Sequence, residues 1–220
     1  LIIFRGEEPW YRIDLYGDAF FEALHEIGIE QTVTIEGYNG PAPPDLERRI
    51  SCVYSKESMK GTLDNFGLQY SNYGSNGGQG PTIGMALINM DPLEHPDVEI
   101  FRLGAMAPMY PFATSSNQQV GIPTDHRAFY DIMRRLKAMF GLDIDLSELK
   151  TLGDNESDKL KSSLDRISTN NSEAKAIIEQ ARSDFSYIPF EEPLDIKPDL
   201  DRALQDILEE QSDPTDNPDI

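Results

Sequence analysis

Thr32-Val33-Thr34-Ile35 and Ile50-Ser51-Cys52-Val53-Tyr54 are short β-branched and apolar runs, and the elements around them decide the fold. Before the first run, Phe20, Phe21, Leu24 and Ile27 recur at helical spacing, which predicts a helix from about Asp18 to Ile27 ended by Gly28. Between the runs lies a Gly/Pro loop from Gly37 to Pro44. After the second run, Ser55 reads as the cap of a helix reaching Asn65 and stopping at Gly67. Pro81 and Thr82 open a further helix, Ile83-Gly84-Met85-Ala86-Leu87-Ile88, and Val98 to Leu103 returns to strand. Short apolar strands alternating with helices predict an α/β sheet covered on both faces.

Beyond Pro123-Thr124 the pattern turns helical. A long helix, Asp125 to Phe140, presents Phe129, Ile132, Met133, Leu136, Met139 and Phe140 to the core. Further helices are expected near Glu156–Ile167, Glu173–Phe185 (capped by Ser172) and Asp199–Glu210. These expectations divide the chain into an α/β core over 1–145, a helical, acidic C-terminal appendage over 146–211 and a disordered tail over 212–220. Leu1-Ile2-Ile3-Phe4 reads as a buried strand, and a strand beginning at residue one suggests a portion that precedes the numbering.

Composition narrows the function. The formal net charge of −20 and pI near 4.4 argue against nucleic acid or an anionic membrane as partner. From Gly141 onward there are 21 acidic against 8 basic residues, so the acid is concentrated in the appendage. No run approaches the roughly 20 apolar residues that span a bilayer. The single cysteine, Cys52, reads as a buried strand thiol and requires no oxidising compartment, so the expected location is the cytoplasm.

Tyr70 to Gly84 contains five glycines running into the helix at Ile83. Such a loop either shapes a surface or seats a small anion at the helix start. It lacks the Gly-Lys-Ser/Thr ending of a P-loop, and no Lys or Arg occurs between Gly61 and Arg102. The histidines, His25, His95 and His126, stand at no metal-ligand spacing, and Ser115-Ser116 lacks a nucleophile elbow. His126 with Asp125 is the least implausible general-base pair, but helix N-terminal residues are usually caps. No catalytic residue, metal or cofactor is therefore assigned.

An ordered set of segments resembles the proteasome assembly chaperone 2 (PAC2) family. It comprises Gly6-Glu7-Glu8-Pro9, then Val33-Thr34-Ile35-Glu36-Gly37-Tyr38 before Pro41-Ala42-Pro43-Pro44, and Gly78-Gln79-Gly80-Pro81-Thr82-Ile83-Gly84 before a helix. Ala107-Pro108-Met109-Tyr110, expected as a turn after a strand, and Gly141-Leu142-Asp143-Ile144-Asp145-Leu146 complete it. The resemblance implies a three-layer α/β/α sandwich of the nucleoside-phosphorylase-like type, with a strand and helix before the Gly-Glu-Pro segment. It also implies a non-enzymatic, assembly-chaperone-like protein that forms homo-oligomers and has proteasome core-particle subunits as partners. The interface residues are then Tyr70, Tyr73, Met109, Tyr110 and Phe112. The alternative is a small-ligand binder or hydrolase with a phosphorylase-like cleft near the Gly74–Gly84 loop, using Glu7, Gly78, Gly80, Thr82 and Tyr110.

The tail yields a direct test. Residues 212–220 hold one apolar side chain among prolines and acids, too little burial to offset the entropy of ordering them. Deleting them is expected to leave the thermal midpoint and the molecular mass per particle unchanged, by calorimetry and light scattering.

Overall fold

The computed structural model describes residues 1–7, 9, 11–71, 82–94, 97–113 and 119–192. Gly78, Gly80, Tyr73, His95, the expected helix near 199–210 and the tail lie outside them. Among the described residues the helices are α1 (Ile13–Glu26), α2 (Lys60–Leu63), α3 (Ile83–Glu94), α4 (His126–Phe140), α5 (Ser147–Asn170) and α6 (Ser172–Asp184). The strands are β1 (Gln31–Gly40), β2 (Ile50–Tyr54), β3 (Gln69–Tyr70), β4 (Glu99–Ala113) and β5 (Gln119–Gly121). No helix among them is long and apolar enough to cross a membrane.

The sheet is ordered β1-β4-β2-β3, with β5 on the far end of β4. β1 runs parallel to β4 in unbroken register from Gln31↔Glu99 to Gly40↔Pro108, while β2 lies antiparallel on the other side of β4. The middle of β4 is buried on both faces, so apart from Arg102 its side chains there are apolar or absent in both registers. Phe101, Leu103 and Ala105 pack with Ile50, Cys52, Leu63, Ile132 and Leu136 under α2 and α4. On the opposite face, Ile100 packs with Phe21, Leu24, Leu87 and Ile88 from α1 and α3. The result is a mixed α/β fold with a central sheet flanked by helices. A third cluster, Tyr110, Val120, Ile122, Leu160 and Leu164, joins the β4–β5 end to α5.

Several expectations are corrected. Leu1 to Phe4 form no strand, and Leu1 is 94 % exposed. An apolar run becomes a strand only where a neighbour accepts its backbone hydrogen bonds, and pattern alone cannot supply that neighbour. Ala107 to Tyr110 is no turn: β4 runs straight through it. Pro108 sits at the end of the β1 register, and its carbonyl accepts from the Ile122 N–H at 3.1 Å. The helix expected after Ser55 is a short α2 between 3₁₀ turns, and Ser55 Oγ accepts from the Ile100 N–H instead of capping it. α6 is capped by Asn171 rather than Ser172. Phe129 and Phe140 are 47 % and 39 % exposed, not core residues. Cys52 is buried in β2 as expected.

α5 begins at Ser147, well before the expected Glu156, and contains Gly153. A Cβ at Gly153 would stand 2.7 Å from the Cα and N of Arg127, so this glycine lets α5 lie directly against the first turn of α4. Gly153→Val is expected to destabilise the protein by about 1–3 kcal/mol through overpacking against backbone that cannot yield, read as a lower urea midpoint.

Candidate functional site

Of the glycine loop, Thr82 to Gly84 lie among the described residues, where β1 passes the start of α3. Strand alternation places Thr34 and Glu36 on the α1/α3 face, and the Gly84 N–H donates to Glu36 Oε1 at 3.0 Å. A Cβ at Gly84 would stand 2.4 Å from Thr34 Oγ1 and 2.5 Å from Glu36 Oε1, so glycine is needed for the approach. The Arg102 guanidinium is ion-paired to Glu36 and donates to Ser51 Oγ at 3.3 Å, and Ser51 in turn donates to the Gly104 carbonyl. The protein's own carboxylate thus sits on the helix N-terminus that an external anion would use. Nearby, burial pushes the Tyr38 hydroxyl up while Arg49 pulls it back. Burial likewise pushes the Cys52 thiol up to about 12, an inert thiol rather than a nucleophile.

The other sequence-derived residues are scattered. Thr82 Oγ1 accepts from the Met85 N–H at 3.4 Å at the start of α3. Glu7 is exposed in the N-terminal segment. Tyr110 is interior and donates its hydroxyl to the Ala42 carbonyl at 3.2 Å, holding the proline loop. Tyr70 is half-buried, donates to Asp64 Oδ1 at 2.7 Å and meets Tyr54 edge-on. Met109 pairs with Gly121 across β4–β5, and Phe112 packs on Tyr110. A hollow of about 160 Å³ lies elsewhere, lined by Tyr130, Lys137, Leu146, Ser147, Lys150 and Glu192. No group of metal-ligating side chains gathers among the described residues.

The densest polar assembly was not foreseen. Arg48, Asp131 and Arg135 are each 0 % exposed, where the proline loop meets α4. Arg48 donates from Nε to Asp125 Oδ2 at 2.7 Å, from Nη2 to Asp125 Oδ1 at 3.2 Å, and from its backbone N–H to Asp131 Oδ2 at 2.8 Å. Its Nη1 reaches the carbonyls of Pro43, Pro44 and Leu46. Glu47 is paired with Arg134 and Arg135, whose guanidiniums also lie over the Phe190 ring. Burial raises the Asp131 carboxyl, and the Arg48 N–H, Arg127 and Arg134 pull it back. Asp125 both pairs with Arg48 and caps α4 by accepting from the Ala128 N–H, so it is not the partner of His126. His126 instead meets Glu156 of α5, Nδ1 to Oε1 at 2.6 Å. The available signal was the spacing of Arg127, Asp131, Arg134 and Arg135, which puts four charges on one side of α4.

At this interface Asp131→Ala is expected to cost about 3–5 kcal/mol in chemical unfolding, because it strands a buried N–H and two arginines. A milder test concerns α6. Hydrogen bonding from Arg182 lowers the Asp45 carboxyl below its ordinary value of 3.8. A lowered carboxyl stabilises the fold above that value and loses the contribution as pH falls through the native one. Arg182→Gln is therefore expected to lower stability modestly at pH 7, where the contribution is present, and to change it little well below about pH 4, where it is already lost, read by thermal unfolding across pH.

Neither a family model nor a curated protein matches the chain. Solved structures do. A protein of unknown function from Corynebacterium glutamicum matches 93 % of this chain and 61 % of its own, at 12 % identity and a TM-score of 0.58. A PAC2 family protein from Streptomyces avermitilis matches 74 % of this chain and 60 % of its own, at 24 % identity and a TM-score of 0.54. Pyrococcus furiosus PbaA, an archaeal homolog of proteasome-assembly chaperone, matches 81 % of this chain and 66 % of its own, at 16 % identity and a TM-score of 0.50. This chain thus spans less than two thirds of the length of each of these structures. Its fold is shared with solved structures, several of which are PAC2 family or proteasome-assembly chaperone homologues.

Proposed function

We propose that the protein is a non-enzymatic interaction protein of the assembly-chaperone kind, working in the cytoplasm and binding proteasome core-particle subunits. The observation that carries this reading is the fold shared with the PAC2 family protein and with PbaA. In this reading the α/β core over 1–145 has the nucleoside-phosphorylase-like type, the acidic helical appendage over 146–211 projects charge toward the partner, and the chain self-associates. Tyr70, Tyr73, Met109 and Phe112 are then contact residues, while Tyr110, interior, supports the loop behind them. Two features support binding over chemistry. The charged side chains around Arg48 and Asp131 are spent on one another and on loop carbonyls. The α3 N-terminus, in turn, is already occupied by Glu36.

Affinity capture on the full 220-residue chain tests the reading. Proteasome α-subunits from the source cell are expected to co-purify at moderate salt. Their consistent absence, with other proteins enriched, would remove the client assignment. Calorimetry addresses the ligand-binding alternative. With Glu36 on the helix start and an overall charge of −20, ATP with magnesium is expected to give no binding heat at micromolar concentrations. Micromolar affinity persisting at physiological salt would favour the cleft reading instead.

A further inference from the structure

We infer that the groove between the start of β2, the turn after α2 and α4 is a peptide-binding groove, filled here by the chain's own residues 185–190 as a displaceable ligand. The occupant is held at two aromatic anchors. The Arg49 guanidinium lies 5.1 Å from the centre of the Phe185 ring and donates from Nε to the Ser186 carbonyl at 2.8 Å. Five residues on, Phe190 is 5 % exposed, with the Arg134 and Arg135 guanidiniums 5.3 and 5.1 Å from its ring centre and Phe66 beside it. Arg134 Nη1 also donates to the Phe190 carbonyl at 3.0 Å. Between the anchors the main chain passes over Gly67, where a Cβ would stand 2.7 Å from the Pro189 carbonyl oxygen and 2.9 Å from that of Ile188.

The segment is held as a bound peptide is held. Residues 185–192 form neither helix nor strand, and among the described residues no backbone-to-backbone hydrogen bond ties them to the core. The groove instead grips main-chain carbonyls with arginine side chains and seats two rings, so that main chain gives affinity and anchors give specificity. Ser186, Ile188 and Pro189, between the anchors, face solvent. Phe190, though buried, belongs to none of the three apolar clusters of the core. Arg49 forms no salt bridge among the described residues, and its guanidinium contacts are with Phe185 and Ser186.

The occupant gives the chemistry of the partner: a peptide without helix or strand, with aromatic residues five positions apart and acid directly after the second. Glu191 and Glu192 follow Phe190, and Glu192 lines the hollow of about 160 Å³ together with Lys137 and Lys150. Arg134 and Arg135 share Glu47 between them. In a chain of net −20, this row of cations admits an acidic peptide that most of the surface repels. A tethered segment competes at an effective concentration in the millimolar range, so the groove is shut to weak ligands until the strap is released or outcompeted. The inference goes beyond the client reading above and does not rest on it.

Fluorescence anisotropy with a labelled synthetic peptide of residues 184–192 is the test, on the full chain and with circular dichroism as a folding control. The peptide is expected to bind the Phe190→Ala chain about tenfold or more tightly than the unaltered chain, because loss of the anchor releases the competing strap. A peptide with both phenylalanines replaced by alanine is expected not to bind. Added peptide is also expected to raise the thermal midpoint of Phe190→Ala, as a ligand of the folded state does. Phe185→Ala, at a half-buried position, repeats the comparison if Phe190→Ala does not fold. A folded variant that binds the peptide no better than the unaltered chain overturns the inference, and so does failure of both variants to fold, since the strap is then part of the core. Either result leaves the client reading to the capture experiment.

Discussion

The buried contact of Arg48 with Asp125 and Asp131 is the constraint on which the rest of the structure depends. It ties three things that the chain separates widely: the proline loop after β1, the start of β2 and the first two turns of α4. With Arg48 reaching three loop carbonyls, the loop cannot drift from the helix. With Asp125 held, the α4 N-terminus is capped and the helix is set over the sheet. Such a network is costly to desolvate and is weak evidence for net stability. Its value lies in position, because charges with fixed partners admit few alternative packings.

From that anchor the remaining layers follow. α4 presents Ile132 and Leu136 to Phe101, Leu103 and Ala105, and α5 lies on α4 where Gly153 removes the Cβ that would block it. His126–Glu156 and Arg127–Asp154 then fix the rotation of α5 about its own axis. Phe190 returns the chain to the network, seated on Arg134 and Arg135. The segment carrying it also packs its carbonyls against Gly67, whose φ of +58° ends the turn after α2. The C-terminal end of the described residues thus returns to the charged seam.

The other face is organised by a different device. Glu36 and Arg102 bring an ion pair to the start of α3, where a helix N-terminus would otherwise present unpaired N–H groups.

What the sequence by itself determined was whatever depends on neighbours in the chain. The β-branched runs at Thr32 and Ile50, the helix near residues 125–140 and the stops at Gly28 and Gly67 are local preferences, and each appears where it was expected. Cys52 as an inert strand thiol was equally legible. Tertiary structure decided the rest, since it turned on distant partners. Leu1 to Phe4 is apolar enough to be a strand but pairs with none among the described residues, whereas Pro108 looks like a break yet lies inside β4. Glu36 reads as a polar residue of a strand until α3 arrives 48 residues later to meet it. Arg48 and Asp131, 83 residues apart, read as surface charges because no local pattern records a partner at that separation. A hydrogen bond between distant residues leaves no periodic trace in a sequence, so the elements of this protein were readable and the seams between them were not.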